Sequence, residues 1–182
     1  MARRFAVLVL ALLLLPLTAM ATDILGQDDV PPQAMEAYLL SRNPALNRRY
    51  VHHLVAIYRQ ECRREGVRPL VAFAQMCWET NHLRFTGTVN RRQNNFCGLG
   101  VTGNGVRGDK FAFVRQGVRA HVQHLKTYAS PLPLHARSVD RRRRFVLPGS
   151  APTIEELTGR WGMDKNYGHN IVRLMDAITG RR

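Results

Sequence analysis

Residues 69–80 read Pro-Leu-Val-Ala-Phe-Ala-Gln-Met-Cys-Trp-Glu-Thr, and this stretch decides the fold of the chain. Pro69 suits the first turn of a helix, where the N–H that proline lacks has no helical partner in any case. The apolar side chains that follow recur at helical spacing, namely Phe73, Ala74, Cys77 and Trp78. The pattern predicts a buried helix that begins at Pro69 and ends near Thr80.

Glu79 is a carboxylate at the end of this apolar helix. Burial beside Trp78 and the negative end of the helix dipole both disfavour its charged form, so we expect a raised pKa. A carboxylic acid that stays protonated near neutral pH is what a glycosidase needs to protonate a leaving-group oxygen. A lone Glu on a last helical turn is more often exposed to solvent, so Glu79 by itself leaves both interpretations open.

Further helices are predicted on both sides of this one. They cover 33–41, the stretch from an N-cap at Asn47 to a closing glycine at Gly66, then 114–129 and 166–179. Thr153 and Glu156 have capping-box spacing, which predicts a short helix there. No strand pattern of useful length is present, although part of 86–110 could form a short hairpin. We therefore predict an α+β, mainly α fold with a small irregular or β-containing lobe.

That lobe is a long stretch rich in glycine and asparagine. Residues 86–110 contain Gly87, Gly98, Gly100, Gly103, Gly105 and Gly108. A loop of this length inside a compact domain is usually functional. Its Asn94 and Asn95 could hydrogen-bond sugar hydroxyls or simply form turns. Trp161 and Tyr167, close to the last helix, are aromatic rings that could stack on sugars or belong to the core.

The first residues predict export. Arg3 and Arg4 precede an apolar run, and a small-residue cleavage signal ends at Ala21, so 1–21 is interpreted as a signal peptide. The alternative is an uncleaved anchor. We expect a flexible segment with a short helix over 22–46, one domain over 47–182, no membrane span after cleavage, and a periplasmic or secreted monomer.

The chain is strongly basic, with 27 Lys and Arg against 13 Asp and Glu. Signal cleavage removes Arg3 and Arg4 and no acid, which leaves +12 of the formal +14. For an exported protein this charge favours anionic cell-envelope polymers and membrane surfaces over nucleic acid. The basic run Arg141–Arg144 is read as a solvated loop.

The three cysteines do not fit a zinc motif. Export permits a disulfide, and Cys77 with Cys97 is the pair we favour, leaving Cys62 unpaired. Plain burial of all three thiols is an equal alternative. His121 and His124 have ligand-like helical spacing, but no zinc-binding sequence surrounds them, so neither a metal nor a cofactor is expected.

Several segments, in this order, resemble the glucosaminidase family of peptidoglycan hydrolases, which includes bacterial autolysins and the flagellar peptidoglycan hydrolase. The helix 70–80 resembles the family's apolar helix ending in its catalytic Glu, and 94–99 its Asn-Asn-apolar-x-Gly motif. Residues 111–121 and 161–167 resemble the segments that follow. The resemblance runs from about Gln60 to Ala177. Thr80 and Asn81 replace the family's usual Ser-Gly, and Asn tolerates the left-handed backbone that Gly would adopt.

The resemblance implies a lysozyme-like fold and hydrolysis of the β-1,4 bond after N-acetylglucosamine in peptidoglycan. Glu79 would be the acid, and Asp109, the one acidic residue between Glu79 and Asp140, would serve the attacking water. The side chains expected to bind glycan are Trp78, Asn94, Asn95, Phe96, Trp161 and Tyr167. Asp109 could equally be a solvent-facing turn residue, with the substrate's N-acetyl group assisting instead. Two alternatives stay open, a lytic transglycosylase and a non-catalytic glycan-binding or scaffold protein.

Overall fold

The computed structural model describes residues 21–103 and 105–181. Five α-helices lie in this part: α1 (Pro32–Arg42), α2 (Arg48–Glu65), α3 (Pro69–Glu79), α4 (Val114–Ala129) and α5 (Tyr167–Thr179). Short 3-10 turns occupy Arg91–Gln93, Arg143–Phe145 and Glu155–Leu157. None of the helices in the described ranges is long and apolar enough to cross a bilayer. Apart from Ala21, the predicted signal peptide 1–21 lies outside the described residues.

The helix ends follow local chemistry. The Asn47 side chain accepts a hydrogen bond from the Tyr50 backbone N–H at 3.0 Å, which caps α2. Gly66 ends α2 with a left-handed φ of 73°. Pro69 stands in the first turn of α3. The predicted helices are therefore confirmed to within about two residues, except that the helix expected after Thr153 is only one 3-10 turn.

Helix α3 is the centre of the domain. Every residue of 70–77 is buried, and α1, α2, α4 and α5 all pack against this helix. A helix that is apolar on all sides is stable in water only when surrounded in this way. Its position among the other helices fixes where Glu79, its last residue, emerges from the core.

The molecule is mainly helical, as predicted and as a lysozyme-like fold requires, but the small β lobe is not found. In the described part of 80–113 the chain forms turns and one 3-10 turn. Strand-like pairing in the described residues is limited to isolated bridges: Asp23–Thr153, Leu25–Val67 and Thr158–Gly162. Side-chain amides hold the 80–113 segment in place of a strand ladder, as Asn95 and Gln93 show by bonding to loop carbonyls.

The segment before Pro32 contacts the domain: Ile24 is fully buried, its N–H donates to the Pro152 carbonyl, and its carbonyl accepts from the Arg68 N–H. The flexibility expected for this segment stays a prediction, whereas one other expectation is corrected. The predicted Cys77–Cys97 disulfide is wrong, because Cys62, Cys77 and Cys97 are all free and buried. Burial raises the pKa of each thiol, so they pack as small uncharged groups.

Candidate active site

The chain leaves α3 through a left-handed turn. Asn81, His82 and Leu83 have φ values of 47°, 55° and 60°. The Thr80 hydroxyl holds this turn, donating to the Met76 carbonyl at 2.7 Å and accepting from the Leu83 N–H at 2.9 Å. Left-handed backbone at a leucine is strained, and such strain is found where a site needs a particular geometry. The left-handed conformation expected for Asn81 is confirmed.

Glu79 lies on the wall of a cavity of about 410 Å³, here called the acid chamber. Trp78, Trp161 and Tyr167 also line it, as does Gly98 of the neighbouring loop. Trp78 is 40% exposed, which is unusual for so large an apolar side chain. An exposed aromatic ring such as Trp78 beside a carboxylic acid is suited to the apolar face of a sugar ring.

The environment of Glu79 favours its protonated form. Burial raises the pKa of Glu79 to about 7, although hydrogen bonds from Tyr167 and Trp161 act to lower it. The Tyr167 hydroxyl donates to Glu79 Oε1 at 2.5 Å. The carboxyl group is therefore protonated in a large fraction of molecules near neutral pH, which is the state that a general acid needs.

A buried chain of hydrogen bonds extends from Glu79 into the core. Gln75 Nε2 donates to the Tyr167 hydroxyl at 2.7 Å, and His121 Nε2 lies 2.8 Å from Gln75 Oε1. His121 Nδ1 lies 3.0 Å from the Tyr58 hydroxyl. Burial lowers the pKa of His121 to about 3, so the ring is neutral. With the Gln75 amide placed this way round, His121 must carry its proton on Nε2, and Tyr58 must donate to Nδ1.

These hydrogen bonds determine which oxygen of Glu79 carries the acidic proton. Because the Gln75 amide already donates to its oxygen, Tyr167 is left to direct its own proton at Glu79 Oε1. Oε1 is thus an acceptor, and the transferable proton belongs on Oε2. Oε2 lies beside the loop at Gly98, 3.7 Å from where a Cβ would stand there, and Gly98 lines the acid chamber.

Asp109 does not line the acid chamber. It is held in an ion pair by Arg142, whose Nη2 lies 2.7 Å from Asp109 Oδ1 and whose Nε lies 3.1 Å from each carboxylate oxygen. The side chains of Asp109 and Arg142 lie against Gly100, where an added Cβ would come within 2.6 Å of an atom of each. A base role for Asp109 would require this pair to open, and the role stays a prediction.

The Asn-Asn-Phe motif shapes the loop from inside. Asn95 is fully buried, its amide donating to the carbonyls of Leu99 and Asp109. Asn94 has a left-handed φ of 48° and donates to the Phe111 carbonyl. Phe96 is 1% exposed and packs edge-on against Tyr58. We therefore reassign Phe96 and Asn95 from sugar binding to support of the loop, whereas Trp78, Trp161 and Tyr167 do line the acid chamber.

A second carboxylate in the acid chamber was missed. Asp164 lines it together with Glu79, is exposed, and accepts hydrogen bonds from the Asn166 N–H and the Asn170 amide near the start of α5. The sequence signal for it is the Asp-x-Asn spacing before the last helix, within the 161–167 segment.

The two histidines of α4 are both engaged. His124 is buried, and its Nδ1 lies 2.7 Å from Asp140 Oδ2. His121 is in the chain described above. Within residues 21–103 and 105–181, no group of three or more His, Cys, Asp or Glu side chains is placed to hold a metal ion.

Comparison with known proteins agrees with this geometry. The model of the glucosaminidase family, described as mannosyl-glycoprotein endo-beta-N-acetylglucosaminidase, matches residues 55–179. The chain is 41% identical over 138 residues to a protein of Borreliella burgdorferi described as uncharacterized, covering 76% of this chain and 68% of the relative. No solved structure matches. The family match spans α3 with Glu79, the Asn-Asn loop and Tyr167, and the chain therefore belongs to the glucosaminidase family of glycan-cleaving hydrolases.

Proposed function

We propose that this protein cleaves the β-1,4 glycosidic bond after N-acetylglucosamine in peptidoglycan, with Glu79 as the general acid. The observation that carries the proposal is the state of Glu79, which is a half-buried carboxyl at a cavity wall whose pKa is raised to about 7. In the bound complex Oε2 would give its proton to the leaving oxygen, and Tyr167 would stabilise the resulting carboxylate through Oε1.

Peptidoglycan is the proposed substrate because of charge and destination. The predicted signal peptide would deliver the protein to the periplasm or the outside of the cell, where the wall polymer lies. The formal charge of +14, or +12 after signal cleavage, would raise the local concentration of an anionic polymer near the protein surface. Neutral glycans would gain nothing from that attraction.

The source of the attacking water's activation separates two versions of this proposal. In the hydrolase version, Asp164 or the substrate's acetamido group assists the water, since Arg142 holds Asp109. In the lytic transglycosylase version, no water is needed and one carboxyl acts as both acid and base. The ion pair at Asp109 is the observation that keeps the second version in consideration.

Mass analysis of fragments released from purified sacculi distinguishes the versions. We expect hydrolysis, which leaves a reducing N-acetylglucosamine end and adds one water to each cleaved bond. Fragments that end only in 1,6-anhydromuramic acid, lighter by one water, would replace the hydrolase by the transglycosylase. Binding to sacculi without any released fragment would support the non-catalytic alternative.

A further inference from the structure

A second cavity of about 470 Å³ adjoins the acid chamber and is here called the basic chamber. The two cavities share Cys97, Gly98, Val101 and Trp161 as lining residues. A glycan bound across Glu79 could therefore extend from one cavity into the other. The residues that line the basic chamber differ in chemistry from those around Glu79.

Two arginines, Arg142 and Arg160, line the basic chamber, and its lining includes no carboxylate. Asp109 and Asp140 lie behind the lining, each bonded to a lining side chain. Arg142 is thereby held in a fixed orientation, with Nε and Nη2 on Asp109. Arg160 donates through Nη1 to the Glu156 carbonyl, and within the described residues it has no carboxylate in ion-pair distance.

Apart from the two arginines, the lining is mostly aromatic and aliphatic, with His124 and Thr102 as further polar side chains. Trp161 and Tyr128 have ring centroids 5.6 Å apart, and Phe145 is 69% exposed. A neutral sugar needs hydrogen-bonding amides or hydroxyls, whereas guanidinium groups beside apolar walls suit a carboxylate carried on an aliphatic chain. The chemistry of the chamber thus favours an acidic substituent of the glycan over a further neutral sugar.

We infer that the basic chamber is a binding site for the acidic lactyl-peptide substituent of peptidoglycan, with Arg160 as the carboxylate-binding side chain. The inference rests on the proposed function, since it assigns a substituent of the same substrate. A glycan without peptide, such as chitin, has nothing to place there. The chamber would therefore select peptidoglycan over other β-1,4-linked N-acetylglucosamine polymers.

The test measures binding, so that it does not depend on turnover. Peptidoglycan oligosaccharides carrying their stem peptides and chitin oligosaccharides of the same length, which carry neither a lactyl group nor a peptide, are titrated into Glu79→Gln and into Glu79→Gln with Arg160→Gln. We expect Arg160→Gln to weaken binding of the peptide-bearing glycan about tenfold, as for loss of one charge-assisted hydrogen bond, and to leave binding of the chitin oligosaccharide unaffected. Arg160→Lys should recover part of the loss.

Arg49→Gln in the same Glu79→Gln background is the matched control, because Arg49 is exposed at the start of α2 and lines neither chamber. An equal loss on both glycans, no loss on either, or the same loss in the Arg49 variant would overturn the assignment. Failure of the proposed function would show separately, as sacculi from which the unsubstituted protein releases no fragments.

Discussion

At the scale of single residues, the protonation of Glu79 depends on two opposing influences. Burial at the end of α3 raises its pKa, and the hydrogen bonds from Tyr167 and Trp161 lower it. Burial and the charge of Glu79 both raise the pKa of the nearby Cys97 thiol, so this thiol stays neutral. The pKa of Glu79 therefore depends on uncharged neighbouring groups. Substituting one of these groups should change this pKa without changing the formal charge nearby.

Tyr167→Phe removes a hydrogen bond that stabilises the Glu79 carboxylate and leaves the burial in place. The pKa of Glu79 should rise further, so the basic limb of the pH–rate profile should move to higher pH while the maximal rate falls. Tyr50→Phe, a half-buried tyrosine on α2, is the control. A basic limb that stays at the same pH in Tyr167→Phe would show that Tyr167 does not set this pKa.

Glu79→Gln should make the protein more stable at alkaline pH. The folded state binds the Glu79 proton more tightly than the unfolded chain does, because the folded pKa is raised to about 7. This stabilisation is complete below the unfolded pKa and is lost as pH rises through 7. Urea unfolding at pH 8 should show a gain of up to ~3 kcal/mol for Glu79→Gln, and none at pH 4. Equal stabilities at pH 8 would contradict the raised pKa.

At the scale of elements, the helices were predictable because their signals are local. Asn47, Gly66 and Pro69 mark helix ends by their own backbone chemistry, without help from distant residues. The conformation of the 86–110 lobe was not predictable from the sequence, because it depends on side-chain amides that donate to carbonyls 14 or more residues away. Asn95, which donates to the Asp109 carbonyl, is an example. The glycine content indicated that this segment is irregular, but it did not predict the path of the backbone.

The candidate site likewise has one part that the sequence predicts and another that it does not. Glu79 could be found because an apolar helix ending in a carboxylate is a local pattern. The chain from Tyr58 through His121 and Gln75 to Tyr167 joins four separate segments, the nearest linked pair being 46 residues apart in sequence. Helical spacing showed that such side chains would be buried and gave no sign of which ones would meet.

The contact between α4 and the Asn-Asn loop is the element-scale feature most open to test. A Cβ added at Gly117 would lie 1.7 Å from the Asn94 carbonyl oxygen, which is backbone and cannot rotate away. Gly117→Ala should therefore lower the free energy of unfolding by roughly 1–3 kcal/mol and reduce activity, since the loop borders the acid chamber.

Gly87→Ala is the matched control for this substitution. Gly87 has no atom within 4 Å of an added Cβ, and its backbone is not in the left-handed region. Urea unfolding of both variants checks the prediction. If the two alanine variants unfold at the same urea concentration, the close packing of α4 against the loop is not as described.

At the scale of the whole molecule, the protein carries a large positive net charge, and its acid chamber contains a carboxyl group, Glu79, whose raised pKa favours the protonated form. The protein's formal charge of +14, or +12 after signal cleavage, should promote adsorption to an anionic polymer, and that attraction would be screened by salt. The proposed reaction requires a proton on Glu79. In the proposed function, adsorption to the wall and cleavage of its glycan are therefore separable properties, carried by different residues.

The rate at which Glu79→Gln lyses purified sacculi tests the central claim most directly. Glutamine keeps the shape of the side chain and still accepts the Tyr167 hydrogen bond, but it has no proton to transfer. We predict that lysis falls on the order of a hundredfold or more, while binding to sacculi and the cooperative unfolding transition are retained. Undiminished lysis by a folded Glu79→Gln protein would contradict the assignment of Glu79 as the general acid.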